Sequence, residues 1–112
     1  MDNRIDFSLV LEVVKTLVSD IKESEMSKEC KIDVVTDEED GYRTILVFEN
    51  CLGEIVVSQP DFAPYRYVKF EVLSSIDKEF KHVFLWYDCM EDTVETILFQ
   101  LRKGFDVARE YG

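Results

Sequence analysis

Residues 7–25, FSLVLEVVKTLVSDIKESE, place Phe7, Val10, Val14, Leu17, Val18 and Ile21 at helical spacing, with Glu12, Lys15, Thr16, Ser19, Lys22 and Glu23 on the opposite side. This pattern predicts an amphipathic helix with a broad buried stripe. Asp6 or Ser8 is placed to cap its first turn. From residue 30 the period becomes alternating, which predicts strands. CKIDVVT (30–36) sets Ile32 and Val34 against Lys31 and Asp33, and the acidic turn DEEDG (37–41) follows, with Gly41 as its permissive residue. RTILVFEN (43–50) and EIVVS (54–58), rich in β-branched residues, predict a hairpin joined through CLG.

RYVKFEVLS (66–74) alternates Val68, Phe70 and Val72 with Tyr67, Lys69 and Glu71, and FKHVFLWYDC (80–89) predicts a fifth strand after the SIDKE turn. With Leu73 facing Phe80, Phe70 lies beside Val83 and Val68 beside Leu85, while Glu71 opposes His82 and Tyr67 opposes Trp86. A last helix begins near 88–92, where Asp92 to Glu95 has capping-box spacing. Val94, Ile97, Leu98, Leu101, Phe105 and Ala108 form its apolar stripe. Gly104 sits on that stripe, where glycine disfavours a helix by about 1 kcal/mol relative to alanine, so a close approach to the sheet or to another helix is expected.

The order is α-β-β-β-β-β-α: an α+β fold with a five-stranded antiparallel sheet flanked by N- and C-terminal helices, in a single domain over 1–112. RTILVFEN is apolar on both faces, Ile45 and Val47 on one and Leu46 and Phe48 on the other. Either both helices cover one face and the second is an interface, or one helix lies on each side. In the first arrangement the second face carries Tyr67, Phe84 and Trp86.

Composition narrows the function classes. At 46% hydrophobic residues the chain has enough apolar content for a core without metal or disulfide staples. No apolar run is long enough to cross a bilayer, and MDNRIDFSLVLEVVK has neither a basic lead nor a cleavage-site pattern, so a cytoplasmic protein is expected. Cys30, Cys51 and Cys89 are odd in number and widely spaced, as expected of free thiols. The net charge of −11 disfavours direct contact with nucleic acid, and favours either solubility alone or a basic partner.

Candidate chemistry is sparse. Cys89 near a helix N-terminus suggests a thiolate, but His82 lies seven residues back with opposite strand parity, which argues against a Cys–His dyad. One histidine with scattered cysteines is a weak zinc set, DEEDG reads as a solvated hairpin tip, and no phosphate loop is present; no catalytic, cofactor or metal residues are assigned. QPDFAPYRY (59–67) is unusually aromatic for a loop, and serves either recognition or as a lid folded over the sheet edge.

In size, acidity and topology the chain resembles bacterial immunity proteins and the small acidic chaperones of secretion systems, a likeness that carries no residue roles. The expected function is a non-enzymatic protein-interaction module (immunity-, inhibitor- or chaperone-like) acting through an aromatic sheet face and an acidic surface. Its partner is a basic protein or a second copy, without direct nucleic-acid or membrane binding, and Phe62, Tyr65, Tyr67, Phe84 and Trp86 are the candidate contact residues. The alternative is a small-molecule sensor or enzyme with a pocket between helix and sheet.

Overall fold

The computed structural model describes residues 6–79 and 81–111. Helix α1 (Phe7–Lys22) is followed by a short 3-10 turn (Glu25–Lys28) and strands β1 (Lys31–Glu38), β2 (Gly41–Val47), β3 (Cys51–Ser58), β4 (Val68–Ser74) and β5 (His82–Tyr87). Helix α2 (Val94–Glu110) closes the order. The strands form one antiparallel meander, β1-β2-β3-β4-β5, so the fold is α+β with helices before and after a five-stranded sheet.

α1 starts where Asp6 caps it, its carboxylate accepting the Leu9 N–H at 2.8 Å. Its buried side is the stripe read from the sequence plus Leu11. α2 starts one residue later than expected. Thr93, not Asp92, is the N-cap, and Thr96 completes a reciprocal capping box. Asp92 is already engaged, accepting from the Cys89 N–H at 2.7 Å and the Thr96 hydroxyl at 2.9 Å, so it organises the turn before the helix.

Both helices lie on the same face of the sheet. α1 contacts β2, β3 and α2, while α2 contacts β3, β4 and β5. The covered face presents Tyr42, Thr44 and Leu46 from β2, Ile55 and Val57 from β3, and Val68, Phe70 and Val72 from β4, all buried. Phe70 is the centre of this core. Its ring meets Phe84 at 5.4 Å and Phe105 at 5.6 Å, edge to face. Gly104 brings α2 down onto it: a methyl there would lie 2.5 Å from Phe70 Cε2 and 2.9 Å from Phe84 Cε1. The close approach expected of Gly104 is therefore to the sheet.

Two details differ from the sequence expectations. Cys51, Leu52 and Gly53 belong to β3 and do not form the connection, which falls at 48–50 and is closed by the Phe48 N–H bonding to the Cys51 carbonyl at 2.9 Å. Gly53 lies inside the strand, where a Cβ would come into van der Waals contact with Leu46 and the Phe70 ring, 3.4 and 3.5 Å away. At the β1–β2 tip, Gly41 pairs with Ser58 as an ordinary strand residue and takes no left-handed backbone.

The largest correction concerns β5. Phe70 pairs with Trp86 and Val72 with Phe84, with an irregularity between Val72 and Leu73. The expected pairings of Phe70 with Val83 and Val68 with Leu85 do not occur, and the Leu73–Phe80 pairing lies outside the described residues. Both parities of HVFLWY are apolar, so alternation could not choose between them. The aromatic set has more area to bury, and α2 covers the side on which it lies. Phe84 and Trp86 accordingly pack against the core on the helix-covered face.

Candidate functional site

With both helices on one side, the other face of the sheet is uncovered. Its cross-strand rows follow from the register. One row runs Lys31, Val47, Leu52, Leu73, His82; the next Asp33, Ile45, Glu54, Glu71, Leu85; the third Thr36, Arg43, Val56, Lys69, Tyr87. Val47, Leu52 and Leu85 are exposed, Leu52 at 47% of its surface. The exposed apolar residues of the open face are thus aliphatic where the sequence had suggested Phe84 and Trp86, because β5 turns Leu85 outward in their place.

Polar groups at the centre of this face neutralise one another. Glu54 on central strand β3 receives Arg43 from β2 at 2.6 Å and Lys69 from β4 at 3.0 Å. Burial pushes the Glu54 carboxyl up, but the Lys69 and Arg43 hydrogen bonds and charges outweigh it and hold the group below the usual range. Glu71, directly opposite Glu54, is held by His82 Nε2 at 2.9 Å. The sequence register had set these two residues opposite each other; they meet instead as a diagonal pair, since His82 faces Leu73. Three cations (Lys31, Arg43, Lys69) stand against four carboxylates (Asp33, Glu38, Glu54, Glu71) on this face, leaving one net negative charge of the chain's −11. The rest of the acidity lies on the tips, loops and helices.

The 59–67 loop rises at one corner of the face, and its base is locked. The buried Asp88 carboxylate accepts backbone N–H bonds from Arg66, Tyr67 and Val68 at 2.9, 2.8 and 2.8 Å. Burial pushes the Asp88 carboxyl above the usual range, against the pull of those three donors. Tyr65 packs its ring 6.1 Å from Tyr87 of the open face, and its hydroxyl lies 3.3 Å from that of Ser58. Beyond this base Phe62 stands 99% exposed between Pro60 and Pro64.

The five contact residues proposed from sequence therefore separate. Phe62 and Tyr65 belong to the loop beside the open face. Tyr67 is half-buried, its ring 5.5 Å from Phe7 of α1 and under the Arg66 guanidinium at 4.5 Å. Phe84 and Trp86 lie on the other side of the sheet. Sequence reasoning did not propose Leu52, Leu73 or Leu85 as contact residues, and had placed Leu85 in the core beside Val68, whereas it pairs with Glu71 on the open face. For the first two a signal was available, since each alternates with residues that pair into the core.

The reactive groups do not converge. Cys89 lies before α2 beside Glu91 and Asp92, whose carboxylates push its thiol up, away from the thiolate form that a helix N-terminus would favour. Burial pushes the Cys30 thiol up to about 12 and raises Cys51 as well. A cleft of about 620 Å³ between the end of α2 and the β1–β2 edge is lined by Lys28, Cys30, Lys31, Glu49 and Arg109. Two of its cations are engaged, Lys28 with Glu25 at 3.0 Å and Arg109 with Glu29 at 3.6 Å. Among the described residues no three His, Cys, Asp or Glu side chains are grouped to hold a metal ion, and no helix is long and apolar enough to cross a membrane. Compared with known proteins, the chain matches no family model, no curated protein and no solved structure.

Proposed function

We propose that the protein is a non-enzymatic interaction module whose working surface is the uncovered face of the sheet, extended at one corner by Tyr65 and Phe62. One observation carries this reading. Both helices stack on the same side, so a face on which Leu52, Leu73 and Leu85 lie beside the Glu54 ion pairs is left uncovered, with Leu52 and Leu85 exposed. Exposed aliphatic side chains on an uncovered sheet face mark sites of association, because covering them removes apolar area from water. The alternative of a small-molecule pocket between helix and sheet has less support. At Gly104 the α2–sheet space is filled by Phe70 and Phe84, and in the cleft at the α2 end Lys28 and Arg109 are already paired with Glu25 and Glu29.

The test is affinity capture with two baits, the wild-type chain and Leu52→Glu combined with Leu85→Glu, each checked for folding by circular dichroism. A second, differently tagged copy of the chain is co-expressed so that self-association is also scored. A protein retained by the wild type and lost from the double variant, whether foreign or a second copy, supports the reading. Identical sets on both baits would remove it.

A further inference from the structure

We infer that the open face is covered by the open face of a second copy, giving a two-fold, sheet-on-sheet dimer; this rests on the reading of that face as the working surface. The first ground is charge. A chain of −11 would be expected to meet a basic partner through its acid, yet the open face holds one net negative charge and pairs its own cations and carboxylates around Glu54. A strongly basic partner finds little net charge there to neutralise. The surface that fits is another nearly neutral sheet face, with aliphatic side chains beside a centre whose charges are paired around Glu54, and this chain presents one.

The second ground is size. Five strands about 4.8 Å apart and roughly seven residues long give a face of about 24 by 23 Å, on the order of 550 Å² in projection. Roughened by side chains, that footprint approaches the roughly 800 Å² per partner of a stable interface. Two twisted sheets pack face to face about 10 Å apart, close enough for Leu52, Leu73 and Leu85 to interdigitate with the partner's face. The remaining charge sits away from this interface, so the two copies repel one another only at longer range. Salt screens that repulsion, so this dimer tightens as ionic strength rises, the reverse of binding to a basic partner.

Sedimentation equilibrium at about 100 µM, a concentration that populates even a micromolar dimer, is the experiment. The expected mass is twice the 13.2 kDa of the chain, with dissociation at least tenfold weaker in high salt than in low. Leu52→Glu should be a folded monomer by mass and circular dichroism, and Leu85→Glu provides the same reading if the first variant unfolds. Phe99→Glu, on the exposed outer side of α2, should remain dimeric. A wild-type chain that is monomeric at this concentration overturns the inference, as does a dimer that Phe99→Glu dissolves and the sheet variants leave intact. With a monomeric wild type, the face remains an interaction surface if capture still depends on Leu52 and Leu85, so the two readings fail separately.

Discussion

Phe70 shows how much of this fold turns on one ring. It is fully buried, with Gly53 beside it in the sheet, Gly104 above it in α2, and the rings of Phe84 and Phe105 at its edges. Alanine at an ordinary helix position is favoured over glycine by about 1 kcal/mol. At position 104 the added methyl overlaps an aromatic ring, and overpacking of this kind costs about 1–3 kcal/mol. Gly104→Ala should therefore lower stability by about 1–2 kcal/mol in urea unfolding, and Phe70→Leu in the same chain should cancel part of the loss, which a double-mutant cycle measures. Asp88 is a second single-residue control. Removing its carboxylate leaves three backbone N–H groups without their acceptor, so Asp88→Ala should cost about 2–3 kcal/mol. Its raised carboxyl also sets a sign: the folded protein holds this proton more tightly than the unfolded chain. Stability from this group is greatest in acid and is lost as pH rises past the ordinary aspartate range. Asp88→Asn lacks that slope, so the stability of the wild type relative to Asn should fall as pH rises, as paired urea titrations would measure.

At the scale of elements, the central strands are tied together across the open face by Glu54, which links β2 and β4 through Arg43 and Lys69. The Glu54 carboxyl lies below its usual range, so its contribution is present above the ordinary glutamate pKa and lost as pH falls through the lowered value. Glu54→Gln should reduce stability by about 1 kcal/mol near neutral pH, with the gap to wild type closing in acid below the glutamate range, as thermal unfolding at the two pH values would reveal. The end of α2 is held in a comparable way. The Asn50 amide donates to the Tyr111 carbonyl at 3.0 Å, the Tyr111 hydroxyl donates to Asp77 at 2.6 Å, and the Cys51 thiol reaches the Ala108 carbonyl at 3.3 Å. These bonds join the helix end to two hairpin turns. Neither partner of such a pair carries a local pattern that announces it, since the separations along the chain run from 34 to 61 residues.

For the whole molecule, the core divides the cysteines. Cys30 and Cys51 are buried and their thiols are raised by desolvation, while Cys89 is exposed. Labelling the folded protein with a thiol reagent at mildly alkaline pH should give one fast group. The other two should react slower by on the order of a hundredfold or more, because reaching them requires the core to open. The unfolded, unreduced chain should give three. A folded protein in which Cys51 reacts as fast as Cys89 would contradict the packing of β3 beneath α2.

Much of this architecture was legible from local pattern. The α1 stripe, the five strands, the apolar side of α2 and the tight approach at Gly104 each follow from side-chain periodicity or from one residue out of keeping with its element. Such signals act within a few residues, where backbone geometry dictates which side chains share a face. What tertiary structure decided were the points at which local pattern is degenerate. Asp92 and Thr93 are adjacent and both competent to cap, and the choice fell to Thr93 because Asp92 was engaged by the preceding turn. Positions 45–48 are apolar without a break, so the end of β2 could not be read. In β5 both parities are apolar, and the side that faces inward was selected by the long-range packing of Phe84 and Trp86 beneath α2. That selection turned Leu85 outward. The placement of both helices on one side, equally invisible in local periodicity, left Leu85 there with Leu52 and Leu73 on an uncovered face. The amphipathicity of each element was written along the chain, whereas which surface remained exposed depended on how all the elements packed together.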